Sequence, residues 1–158
     1  MFFVKFYNHL IRFGAVVAPI ALLIVRLAWG WESYQSGNGH LHHIDKVTEF
    51  FTSLNIPMPR ANAYLSGATE LVGGILLMVG LGARLIAIPL VFNFAVAIAT
   101  DAHEQLVNTF THFKEPEKLI DYTAFPFFTA SLIVLAFGPG AFSLDWVIAK
   151  IYGKKKAV

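Results

Sequence analysis

The sequence predicts an all-α fold: a four-helix transmembrane bundle with short interfacial helices, built as a single domain over residues 1–158. Two observations predict it. Of the 158 residues, 56% are apolar and only 14% are charged, too thin a polar shell for a soluble core of this size. The apolar residues also gather into four runs, each close to the roughly 20 residues a helix needs to cross hydrocarbon. The chain has no cysteine, which removes disulfides, thiolate metal sites and thiol redox chemistry together. No basic tract has the pattern of a nucleic-acid footprint.

The elements follow in order. MFFVKFYNHLIRF reads as an interfacial or lead-in helix. The first span covers about 15–35, AVVAPIALLIVRLAWGWESYQ. It is read as a retained span rather than a cleaved signal, because the apolar pattern continues past Arg26 and no small-x-small site follows. The long connection contains HHIDKVTEFFTSLNIPMPRA. There Ile44, Val47, Phe50, Phe51 and Leu54 recur at helical spacing, which predicts a short helix in the interface, closed by Pro57 and Pro59. The second span, about 61–80, and the third, about 83–102, are separated only by GLG and form a tight antiparallel hairpin. The fourth span covers about 120–138.

Charge sets the expected orientation. Lys5, Arg12, Arg84, Lys150, Lys154, Lys155 and Lys156 share one side if the spans alternate. Lys46, Arg60, Lys114 and Lys118 lie on the other, with most of the acids. By the positive-inside rule both termini are cytoplasmic, and the expected location is a bacterial cytoplasmic (inner) membrane.

Glu70 stands out in the oily run GATELVGGILLMVGLGAR, Gly67 to Arg84. At a helical rise of about 1.5 Å per residue, Arg26, Glu70 and Asn93 each fall near the middle of their predicted spans. A lone charge there costs at least roughly 2.5–3.5 kcal/mol. A pairing of Arg26 with Glu70, supplemented by Asn93, is therefore expected, either as a binding site or as a clamp between helices. Ala63, Gly67, Gly73 and Gly74 are small enough to let helices approach closely.

A second polar group is expected at the outer rim: Glu32, Asp101, His103, Glu104 and Asp121. Trp29, Trp31, Tyr34, Tyr64 and Tyr122 around it read most simply as an interfacial aromatic belt. His40, His42 and His43 in GHLHH, with His103 and His112, fall on the same side. Imidazole and carboxylate together hold metals without sulfur, so His40, His42 and His43 are candidate ligands. HLHH lacks the fixed spacing of a zinc motif.

These residues carry a family resemblance. Arg26 is followed by SG at Ser36 and Gly37, and Pro57-x-Pro59 precedes ELVGGILLMVGLGAR. After the fourth span comes GPGAFSLD, Gly138 to Asp145. From about Leu23 to Val147 the chain resembles the DoxX family of small four-span membrane proteins. Arg26, Glu70, Arg84, Gly138, Pro139, Gly140 and Asp145 match family positions. One position departs: a lysine usual shortly after the SG is His40 here. The resemblance implies a membrane component of an oxidoreductase system, in some relatives quinone-linked.

That expectation sets the functional alternatives. The first is a redox-complex subunit with a quinone near Arg26 and Glu70 and a protein partner that carries the electrons; a homo-oligomer is the other association expected. The second is an assembly scaffold whose charges only fix the bundle. The third is a small-solute or proton transporter. No nucleophile–base pair or phosphate loop indicates a self-contained reaction.

Overall fold

The computed structural model describes residues 2–112 and 116–155, all-α in architecture. Lys114 and Lys156, counted for orientation, lie outside the described residues, as do the side chains of Lys5, His112, Lys154 and Lys155. Three helices are long and apolar enough to cross a bilayer, and a fourth apolar helix is shorter.

Helix α1 runs unbroken from Phe2 to His42, 41 residues. The lead-in helix and the first span are thus one rod, about 60 Å long. Pro19 is its single proline, and the structure carries the helix through it. The part of α1 packed against the next span starts near Arg26 and ends near Leu41, later than the 15–35 read from hydropathy. Residues 3–4 and 6–18 are exposed.

Helix α2, Ile44–Ser53, is the short amphipathic helix the spacing indicates, and it packs on α3. The chain then turns through Asn55 and Met58, both at positive φ (55° and 48°). Pro59 opens α3, Pro59–Val79, at a position where its missing N–H costs nothing. Helix α4, Ala83–Asp101, returns antiparallel after a turn that needs left-handed backbone at Gly80 (φ 71°) and Gly82 (φ 56°).

Beyond α4 come α5, His103–His112, and α6, Pro116–Ile120, before α7, Ala124–Phe137. The break at 121–123 removes the first turn of the fourth span read at 120–138. Helix α7 has 14 residues, so it measures about 21 Å against a hydrocarbon core near 30 Å. After the Gly138–Ser143 loop, α8 covers Leu144–Lys155 with Trp146, Ile148 and Ile151 exposed. The core between α3, α4 and α7 is built from Leu77, Ala87, Leu90, Phe94, Phe127 and Val134.

Candidate functional site

Arg26 and Glu70 do not pair. The Arg26 side chain is 1% exposed and donates only to backbone carbonyls. Its Nε reaches Leu77 O at 2.9 Å; Nη2 reaches Phe142 O at 2.9 Å and Met78 O at 3.2 Å; Nη1 bonds Pro139 O. Leu77 and Met78 are in the last turn of α3, where Leu77 O has only a shared bond from the Gly80 N–H and the helix dipole favours a cation. One guanidinium therefore closes the end of α3 and ties it to the loop after α7.

The same end holds Asp145. Its carboxylate accepts from the N–H groups of Gly82 (2.7 Å) and Ala83 (3.0 Å), capping α4, while its own N–H donates to Gly80 O at 3.0 Å. Arg84 is exposed and reaches Ala136 O at 3.4 Å. The segment from Gly138 to Asp145, with Pro139 and Gly140, thus meets Arg26 and the α3–α4 turn as one knot.

Glu70 lies elsewhere, 3% exposed, midway along α3. Ser36 donates to Oε2 at 2.6 Å; Ser66 and Asn93 donate to Oε1 at 3.0 and 2.8 Å. His40 Nδ1 stands 3.4 Å from Oε2, near enough for ion-pair attraction but without hydrogen-bond geometry, so this buried nitrogen has no hydrogen-bond partner. The His40 side chain itself is 35% exposed. Helices α1, α3 and α4 all contribute, and both carboxyl oxygens face side-chain donors.

The register of α1 on α3 explains both arrangements. A Cβ on Gly37 would fall 2.3 Å from Leu71 N, and one on Gly74 would fall 2.5 Å from Gly30 O. Backbone meets backbone at these points, as in small-residue helix crossings of membrane proteins. That contact sets Ser36 level with Glu70 and Arg26 level with the end of α3, about 10 Å apart along the helix axis. Ser66 could be found in the sequence, one turn before Glu70 on the same face. Ser36 and His40 depend on the α1 register, which hydropathy does not carry.

The other expected residues divide. Asp101, at the end of α4, accepts a hydrogen bond from the Tyr122 hydroxyl; burial and this bond push the tyrosine above its ordinary pKa. His103, Glu104 and Asp121 are exposed near the same end. Glu32 does not join them: it precedes Ser36 by one turn, inward of Glu70's level, which moves it from the rim into the span. Trp29 leaves the expected belt as well, packing edge-on against Phe127 at 5.3 Å.

The histidine triad is not drawn together. His40 turns inward to Glu70, His42 Nδ1 lies 2.8 Å from Asn38 O, and exposed His43 occupies the N-cap of α2. Neighbouring residues on one helix end point in different directions, so the spacing of GHLHH does not make a ligand set. Among the described residues no three histidine or acidic side chains converge on a metal position.

A family model described as DoxX matches residues 21–103, just over half of the chain. No curated protein and no solved structure matches it.

Proposed function

Since the chain belongs to the DoxX family, we propose that it is the integral membrane subunit of a quinone-linked oxidoreductase system, with Glu70 and His40 as its proton-handling pair. The observation that carries this reading is the pair itself. A buried carboxyl 3.4 Å from a half-exposed imidazole offers a proton route between the bundle centre and its polar end.

The Arg26 geometry narrows the reading. With its donors engaged by four carbonyls, Arg26 is not free to polarise a quinone carbonyl. The exposed part of the His40 ring, whose buried Nδ1 faces Glu70, is open to a hydroxyl of a quinol. A quinol releases two electrons and two protons on oxidation to the quinone, one of the protons passing to His40. In this reading the electrons pass to a partner protein. By the same distribution of basic residues read above, both termini face the cytoplasm, and Glu70 communicates with the opposite side through His40. The scaffold alternative finds its support in Arg26, whose bonds are all to backbone.

The test is binding of a soluble quinol to the purified chain in lipid nanodiscs, read by quenching of tryptophan fluorescence. Saturable quenching that His40→Leu weakens by roughly tenfold, about 1.4 kcal/mol, is expected. Absence of saturable quenching, or equal affinity in the variant, overturns the reading.

A further inference from the structure

Glu32 is the one acidic residue on the outward face of the packed part of α1. The face of α1 against α3 is defined by Arg26, Gly30, Ser33 and Gly37, all buried. At 100° per residue Glu32 points the other way, and it is exposed. Ser36, one turn further on, bonds Glu70 at the centre of α3. Glu32 is therefore about 6 Å from that level towards the α3–α4 turn, inside the length of a helix long enough to cross a bilayer. Among the described residues no hydrogen bond or ion pair reaches its carboxylate.

An unpartnered carboxyl facing lipid at this depth is costly, and such groups mark contacts made with something else. Its surroundings have the composition of a helix–helix contact in membranes. Ala28, Glu32, Gln35 and Gly39 recur along one stripe at helical spacing, and a Cβ on Gly39 would meet nothing within 4 Å. Leu27, Ala28, Trp29 and Trp31 line a shallow open groove beside Glu32. We propose that this face of α1 docks a transmembrane helix of another protein, one that presents a lysine or arginine to Glu32.

Charge complementarity selects that occupant over a second copy. Arg26 aside, the lysines and arginines lie in the first dozen residues, in the opening two residues of α3 and α4, or outside the long apolar helices. Arg26 is buried and already bonded. A copy related by a two-fold axis would bring carboxylate to carboxylate, which repels. The docked helix must supply the cation. This inference is independent of the proton-handling role given to Glu70 and His40.

The probe is a synthetic leucine-rich transmembrane peptide of about 20 residues, with lysine or leucine at its centre. The full chain is reconstituted in phosphatidylcholine vesicles, and association is read by energy transfer between labels. The lysine peptide is expected to associate roughly tenfold more tightly than the leucine peptide, a difference of about 1.4 kcal/mol. Glu32→Leu should erase the preference and Glu32→Lys should reverse it towards a peptide with central glutamate. Ala28→Leu, with Glu32 intact, should weaken association by blocking close approach. Because Glu32 has no partner among the described residues, helical content and gel-filtration behaviour should not change in its variants. Equal association of the two peptides overturns the proposal. So does a preference that survives Glu32→Leu, or disulfide cross-linking between two copies of Gln35→Cys without peptide.

Discussion

Two buried charges sit on facing helices about 10 Å apart along the axis, and their surroundings differ in kind. Arg26 is enclosed by backbone carbonyls, which have one state and no proton to exchange. Glu70 is enclosed by two hydroxyls, an amide and an imidazole, and the imidazole reaches the surface. The first arrangement holds helix ends together. The second is made of side chains, which can rearrange their hydrogen bonds without breaking a helix. A buried charge in a membrane bundle is thus better judged by what bonds it than by its depth.

The contrast has consequences of decreasing size. Arg26→Met should remove the guanidinium donor from four carbonyls and open the joint between α3 and the loop after α7. A loss on the order of 3–5 kcal/mol is expected in denaturant unfolding of the detergent-solubilised chain. A loss below about 1 kcal/mol would remove Arg26 from its role as a joint. Glu70→Gln keeps the shape of the side chain but turns one acceptor into a donor facing donors. About 1–3 kcal/mol should be lost in the same assay, with a larger proportional effect on quinol binding than Arg26→Lys produces. If Arg26→Lys is the more damaging to binding at equal stability, the division of roles is reversed.

Much of this bundle is legible in the sequence. The GLG hairpin, the amphipathic helix between Ile44 and Ser53 and the α3 and α4 spans follow directly from apolar runs and turn residues. Depth counting also brings Glu70 and Asn93 to one level, and they meet at 2.8 Å. Arg26 escapes the same counting because its helix begins at Phe2, and no residue before it marks where packing starts. The register is fixed by Gly37 and Gly74, whose significance emerges only when two helices are in contact. Helix α8 is also absent from the hydropathy reading, because its apolar stretch is short and interrupted by Lys150. His40 proves more informative than the other histidines of GHLHH, for this imidazole is the one beside Glu70.

A double-mutant cycle on unfolding free energy measures the separation of the two charges most directly, using Arg26→Met with Glu70→Gln and, in parallel, Asn93→Leu with Glu70→Gln. Arg26 and Glu70 should be additive to within about 0.5 kcal/mol, as distant sites are, while Asn93 and Glu70 should couple by roughly 0.5–3 kcal/mol. Coupling above about 1 kcal/mol between Arg26 and Glu70, with none between Asn93 and Glu70, would contradict it.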